Sequence, residues 1–499
     1  MIDSHTIFSE SKTFGNVSND IRIERKQGQP PPYHIYSYLG EFFLFDTSTQ
    51  LIYRIDETVF RLLELCLNGL SIEEAGIYLQ RKAIFSKDII EEVLKELSVV
   101  AQSGLFEIPD YRMTDEELEE RLVQDYEQPI HSITLGVTES CNLSCIYCYC
   151  GDRCNASTKM MTKEVARQSL DWLFKNAGNH KTLSVCFFGG EPLLNKEVIR
   201  FATEYGEELA TKVGKKILFS MTTNATLIDD EFADFIQTHK IRTLVSLDGP
   251  KEIHDAQCPT KGGAGSFEMA SAGAKRILAF QKNSNVRATL THPIKDISKL
   301  IDFFQKFGFG YCTLGPTTNP EETQGDYDFT EDDYFELYTQ EGRMIPAILQ
   351  KRIAGEPIFY DPFDFYIREF KRNNRKIYAV NCGAANACLY INVDGTLYPC
   401  HHHYSYESWK LGNVFEDSPV NIEKLKDYWR KYQKNLTSCE TCWAGALCPK
   451  PCSADMIRQN GTFDSKIRFC DSMRFRLEQA GYIYCLENQC KEKQPELHN

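Results

Sequence analysis

The sequence predicts an α/β protein built on a partial TIM-like (β/α)6 barrel, with a winged-helix-like domain before it and a cysteine-rich domain after it. Three observations predict this. Between residues 131 and 315, six apolar runs (ITLGV, LSVCFF, KILFSM, RTLVSL, VRATLT and YCTL) alternate with helical stretches, a rhythm that implies parallel strands joined by crossover helices. Residues 34–105 carry a separate pattern of β-rich runs followed by three capped helices. Nineteen cysteines in 499 residues gather mainly in a short loop after the first barrel strand and in residues 381–475.

Taken in order, residues 1–33 read as a loose tail, because Pro30, Pro31 and Pro32 cannot donate to a sheet ladder. In the 34–105 domain, HIYSYLGEFFLF and QLIYRI flank Asp46, Thr47, Ser48 and Thr49, which suggests a hairpin turning there. Asp56 is an N-cap candidate, Ser71 with Glu74 a capping box, and Ser86 precedes a third helix that stops near Gly104. Ile89, Ile90, Val93, Leu94 and Leu97 give that helix one buried face. Residues 106–130, with the run DEELEE, read as a linker containing a solvated helix. After the barrel, residues 316–380 form a helical bridge, 381–475 the cysteine-rich domain, and 476–499 a C-terminal tail.

Composition excludes several classes of function. A formal net charge of −14 does not supply the basic field that nucleic acid requires. No apolar run is long enough to span a membrane and no basic-then-apolar export signal opens the chain, so it reads as cytoplasmic. In that compartment so many cysteines point to metal or redox chemistry before disulfides.

The first barrel strand ends in TESCNLSCIYCYC, which places Cys141, Cys145 and Cys148 on one tight loop. Three thiolates can hold three irons of a four-iron four-sulfur cluster and leave the fourth iron open. Structural zinc is the rival, although zinc sites usually recruit a fourth protein ligand in paired spacing. A second pattern lies downstream. Cys382, Cys388 and Cys400, then Cys439, Cys442, Cys448, Cys452 and Cys470, offer eight thiols, enough for two four-cysteine clusters or two zinc sites. Gly395 before Cys400 suits a hairpin that brings ligands together. Cys66 and Cys186 sit in apolar runs as small core residues. No role is assigned to Cys150, Cys154, Cys312, Cys485 or Cys490, and the tract His401, His402, His403 reads as support for a neighbouring ligand or as surface.

CNLSCIYC, with Tyr147 before the last cysteine, resembles the cluster loop of the radical S-adenosylmethionine (SAM) superfamily. FFGGEPLL resembles that family's SAM motif, with Gly189, Gly190, Glu191 and Pro192 meeting the methionine amino group. SMTTNATLI, with Ser220, Thr223 and Asn224, and VSLDGP, with Ser246 and Asp248, resemble the motifs of its third and fourth strands. The resemblance implies reductive cleavage of SAM at the open iron, hydrogen abstraction by a 5′-deoxyadenosyl radical, and an electron donor such as flavodoxin or ferredoxin. One position departs: relatives commonly have arginine where Cys258 stands.

The downstream cysteines resemble the SPASM domain of peptide- and protein-modifying radical SAM enzymes. By that resemblance Cys382, Cys388, Cys400 and Cys452 hold one cluster and Cys439, Cys442, Cys448 and Cys470 another, which makes three 4Fe-4S clusters in all. The stretch FLFDTSTQLIYRIDETVFRLLELCLNG followed by SIEEA resembles the peptide-recognition domain of ribosomal-peptide maturases, which binds a leader peptide as an added strand. A winged-helix DNA binder is the rival, and the acidity opposes it. YPCHHH looks closer to thioether-forming relatives than to sulfatase maturases, where an acidic residue takes the place of His401. The reading is therefore a maturase that joins a cysteine sulfur to carbon in a precursor peptide. The alternatives are carbon–carbon cross-linking or epimerisation, anaerobic sulfatase maturation, and a non-catalytic metal-binding scaffold that recruits peptides.

Overall fold

The computed structural model describes residues 29–102, 105–126, 128–151, 157–317, 326–372, 376–377, 384, 389–404, 406–416, 420–450, 452–454, 456 and 469–492. Cys154, Cys382, Cys388 and the side chain of Cys490 lie outside them, as do the first 28 residues of the expected tail.

The N-terminal sheet has three strands rather than the two of a single hairpin. β1 (Tyr33–Tyr38), β2 (Glu41–Asp46) and β3 (Ile52–Ile55) pair antiparallel in that order. The chain reverses inside HIYSYLGEFFLF because Leu39 and Gly40 both take positive φ, 50° and 80°, a two-residue connection whose twist matches its flanking strands. Helices α1 (Glu57–Leu67), α2 (Ile72–Arg81) and α3 (Lys87–Gln102) follow. Their caps are those read from sequence: Asp56 accepts from the Val59 N–H at 2.9 Å, and Ser71 and Glu74 form the reciprocal box. Ile90, Val93 and Leu97 face the core with Leu62, Leu63 and Leu79, whereas Ile89 is 45% exposed, one position off that stripe.

The barrel strands appear as expected. β4 (Ser132–Thr138), β5 (Thr182–Gly189), β6 (Lys216–Thr223), β7 (Arg242–Ser246), β8 (Asn285–Leu290) and β9 (Tyr311–Pro316) run parallel and neighbour one another in sequence order. Their crossovers carry α5 (Lys163–Asn176), α6 (Lys196–Val213), α7 (Asp230–Thr238), α8 (Lys251–Gln257), α9 (Phe267–Leu278) and α10 (Ile297–Phe307). Alternate strand residues such as Ile133, Leu135, Val137, Leu183, Val185 and Phe187 are fully buried. The sheet does not stop at β4. β10 (Leu389–Ile391) adds parallel to it, and β11 (Thr396–Tyr398) and β12 (Gly412–Asn413) continue antiparallel, making nine strands. The C-terminal domain is thus built onto the barrel's own sheet.

Two connecting segments differ from expectation. Helix α4 (Asp115–Tyr126), expected to be solvated, buries Leu118, Leu122 and Tyr126 against α14 (Ile422–Lys434), to which it is also tied by Glu119–Arg430. Only its acidic face is wet. The segment expected as a C-terminal tail belongs to a 23-residue helix, Cys470–Glu492, here called α15. It packs against the bridge helices α11 (Glu331–Arg343), α12 (Ile345–Ala354) and α13 (Asp364–Arg372) and also against the N-terminal sheet. Leu477, Ala480 and Ile483 are fully buried, and Cys485 joins Tyr36 and Phe43. A helix covered on more than one side shows no single apolar stripe, which is why periodicity does not reveal it. No helix of the described residues is long and apolar enough to cross a membrane.

Candidate active site

The loop bearing Cys141, Cys145 and Cys148 leaves the end of β4 and is pinned to residues 257–260. Ser144 N–H donates to the Pro259 carbonyl at 2.8 Å and Ile146 N–H to the Gln257 carbonyl at 2.9 Å. All three cysteines are partly buried, and none forms a disulfide. Burial and the nearby Glu191 carboxylate push the Cys141 thiol up to about 12, with Cys145 and Cys148 adding to the effect. Three mutually interacting thiols on one loop suit a cluster that takes three protein ligands. Asn142, between the ligands, spans to β6: its carbonyl accepts from Asn224 Nδ2 at 2.9 Å and its amide donates to Thr226 Oγ1 at 2.8 Å.

The turn after β5 lies directly against this loop. Gly190 N–H donates to the Thr138 carbonyl at 3.1 Å, and Glu191 N–H to the Ser140 carbonyl at 2.9 Å. A Cβ on Gly189 would lie 2.2 Å from the Thr138 oxygen, and one on Gly190 2.2 Å from the Ser140 oxygen. Gly189 also has φ 144°, so it answers to conformation as well as space; Gly190 answers to space. Glu191 is 1% exposed and points inward, where its carboxylate accepts from Thr223 Oγ1 (2.7 Å), Asn224 N–H (2.8 Å) and Leu193 N–H (3.0 Å). Burial nevertheless outweighs these donors and raises its pKa to about 7. Glu191 therefore locks the ends of β5 and β6 together. Pro192 opens a short 3-10 turn that leads into α6.

Asp248, just past β7, is a buried hub. Its Oδ1 accepts from Thr289 N–H at 2.9 Å, and its Oδ2 from Tyr147 Oη (2.8 Å), Gln257 Nε2 (2.9 Å) and the Cys258 thiol (3.3 Å). Tyr147 thus uses its hydroxyl to hold the cluster loop to β7. Cys258 stands 3.1 Å from that hydroxyl and beside Cys145; burial, then hydrogen bonding with Cys145, pushes its thiol well up. Thr223 and Asn224 lie at the end of β6, Ser246 closes β7, and Ser220 sits within β6 opposite Arg242. The four motifs therefore converge at one end of the parallel sheet.

In the C-terminal domain, Cys439, Cys442, Cys448 and Cys470 come together. Burial pushes Cys439 up to about 12 and Cys470 up to about 11, and each thiol is raised further by Cys442 and Cys448. Two cations face them. Buried Lys450 donates to the Cys448 carbonyl at 2.7 Å and lowers Cys439 and Cys448, and Arg474 Nη1 reaches Cys442 Sγ at 3.9 Å. Four thiols with two cations suit an anionic cluster. Of the other quartet, Cys400 and Cys452 fall within the described residues. The histidine tract is not surface: His401 lies against Phe188 (4.5 Å between rings), His402 against Tyr149 (4.5 Å), and His403 is 1% exposed.

Sequence reasoning missed Asn142, Gln257, Thr289, Lys450 and Arg474. Lys450 and Asn142 sit among the candidate cysteine ligands along the chain and were open to notice; Gln257, Thr289 and Arg474 are brought in by folding. Cys312 is buried in the barrel core, as Cys66 is in the N-terminal one.

Residues 135–330 match the Radical SAM superfamily and residues 382–443 match SPASM, an iron–sulfur cluster-binding domain. A cysteine-type anaerobic sulfatase-maturating enzyme of Clostridium novyi (strain NT) is 25% identical over 359 residues, covering 68% of this chain and 92% of the relative. The uncharacterized protein MJ0907 of Methanocaldococcus jannaschii is 37% identical over 301 residues, 59% of this chain and 92% of the relative. Among solved structures, native anSMEcpe with bound AdoMet and Cp18Cys peptide shares the fold, with a TM-score of 0.60, 22% identity and coverage of 72% of this chain and 100% of that one.

Proposed function

The chain belongs to the radical SAM superfamily, and from that premise we propose that it is a maturase that forms a thioether in a ribosomally made precursor peptide. The observation that carries the enzymatic reading is the convergence of the Cys141–Cys148 loop, the Gly189–Glu191 turn, Asn224 and Asp248 at one end of the sheet. Cys141, Cys145 and Cys148 hold one 4Fe-4S cluster, and the two downstream quartets hold two more. Gly189 and Gly190 present backbone polar groups to SAM, with Ser220 and Ser246 as further contacts. The chemistry supplied by the loaded site is one-electron cleavage of SAM and hydrogen abstraction from the substrate by a 5′-deoxyadenosyl radical.

The chain's own residues position and exclude. Glu191, Asn142 and Asn224 fix the cluster loop against β5 and β6, so that little reorganisation is required when SAM is bound. Asp248, Gln257 and Cys258 close the space behind Tyr147 and keep water out. The three-stranded N-terminal sheet, with β1 and β3 at its edges, suits a leader peptide bound as an added strand. A flavodoxin- or ferredoxin-like protein supplies electrons in the cytoplasm.

The sulfatase-maturating relatives support a second reading, in which the substrate is a sulfatase. Mass spectrometry of a co-expressed cysteine-containing precursor peptide separates the two. Each thioether removes two hydrogens, a loss of about 2 Da, and consumes one alkylatable thiol. The same loss with every thiol still alkylatable rejects the thioether in favour of a carbon–carbon link. No mass change with inverted stereochemistry indicates epimerisation.

A further inference from the structure

We propose that His403 is a positioning residue for the C-terminal domain's iron–sulfur chemistry: it donates a hydrogen bond to the Cys400 sulfur and thereby raises the reduction potential of the cluster that Cys400 holds. The inference rests on the assignment of Cys400 as a ligand. His403 Nδ1 lies 3.0 Å from Cys400 Sγ, and its Nε2 lies 3.1 Å from the hydroxyl of Tyr428. The imidazole and Tyr428 are 1% and 2% exposed, and the Trp409 ring stands edge-on to both, 5.5 Å and 4.1 Å away.

The direction of these bonds follows from the chemistry of the partners. A cysteine that ligates iron is a thiolate with no proton to give, so its sulfur can only accept. Nδ1 must then carry the hydrogen, and with the ring neutral Nε2 is an acceptor. Tyr428 satisfies it by donating its hydroxyl hydrogen. The relay Tyr428–His403–Cys400 therefore has one consistent polarity once the cluster is present, and a ring so deeply buried has few other orientations. A donor aimed at a ligand sulfur stabilises the more negative, reduced cluster, and hydrogen bonds to sulfur are among the determinants of cluster potential.

The test is a potentiometric titration followed by electron paramagnetic resonance on the reconstituted full-length protein, with iron counted in each variant. His403→Asn keeps a donor close to the Nδ1 position and should hold the parent potential. His403→Leu removes the donor and should shift the reduction equilibrium about tenfold toward the oxidised cluster, ~59 mV more negative for a one-electron couple. If His403→Leu loads less iron than the parent, His403→Gln takes its place, since its longer side chain presents its amide at the Tyr428 end. Potentials equal in parent, Asn and Leu (or Gln) variants overturn the proposal, as does an Asn variant that shifts as far as the donor-less one. Cys400→Ala tests the premise separately. Full iron content and an unchanged spectrum in that variant reject Cys400 as a ligand, whereas loss of one cluster there with an unmoved potential in His403→Leu rejects only the role of His403.

Discussion

Gly190→Ala isolates the contact between the glycine turn and the cluster loop. Gly190 is not at positive φ, so alanine brings no backbone strain, and its methyl would stand 2.2 Å from the Ser140 carbonyl oxygen and 2.9 Å from the Cys141 nitrogen. Ordinary contact needs roughly 1 Å more, and the obstacle is backbone rather than a side chain that can swing away. The displacement stretches the Gly190–Thr138 and Glu191–Ser140 hydrogen bonds, each contributing about 0.5–1.5 kcal/mol net. With overpacking of about 1–3 kcal/mol, a destabilisation of roughly 2–6 kcal/mol results if both bonds are lost. The functional effect is larger, because a shift of about 1 Å in a positioned group can reduce rate on the order of 100-fold. Two assays on anaerobically reconstituted protein check this: urea unfolding of the apo form, and release of 5′-deoxyadenosine with dithionite as reductant. Cleavage within about twofold of the parent at equal iron content would show that this close approach does not position the site.

Three further outcomes are expected. Joint replacement of Cys141, Cys145 and Cys148 by alanine should remove four irons of about twelve and all SAM cleavage, leaving the downstream clusters; residual cleavage would refute the ligand assignment. Glu191 has a folded pKa near 7 against an ordinary 4.5, so its ionisation opposes folding. The associated stability, of order 3 kcal/mol, is fully present below pH 4.5 and lost as pH rises through 7. Apo-protein unfolding should show that loss in the parent and not in Glu191→Gln; parallel pH profiles would sink it. Trp443, between the proposed ligands Cys442 and Cys448, stacks on His34 at 3.9 Å and meets Phe45 edge-on. Trp443→Ala should cost about 3–5 kcal/mol and reduce bound iron, while iron content and unfolding like the parent's would show that the N-terminal sheet does not brace that loop.

That last contact alters how the N-terminal domain is to be tested. Read from sequence, residues 34–105 form a separate domain ahead of every SAM motif, so deleting residues 1–105 should spare SAM cleavage. Folding instead sets β1 and β2 against Trp443 and α15, and Tyr111 Oη donates to the Thr47 carbonyl at 3.0 Å. Truncation would strip the wall from the loop that bears Trp443, so substitutions at exposed strand positions such as Ser37 and Arg54 are the cleaner probe of peptide binding.

Sequence by itself determined what depends on neighbours along the chain. The six barrel strands announced themselves through apolar runs, the helix starts through Asp56, Ser71 and Glu74, and the ligand candidates through cysteine spacing on short loops, since these are local properties of the backbone. Tertiary structure decided everything that depends on distant residues meeting. It turned Asp248 into the hub shared by Tyr147, Gln257, Cys258 and Thr289, and Glu191 into a lock between β5 and β6. It buried His403 between Cys400 and Tyr428, and wrapped α15 in bridge helices and sheet until its apolar residues showed no stripe. A buried polar side chain must find a partner, and no pattern along the chain names that partner until the strands and loops that carry it are packed side by side.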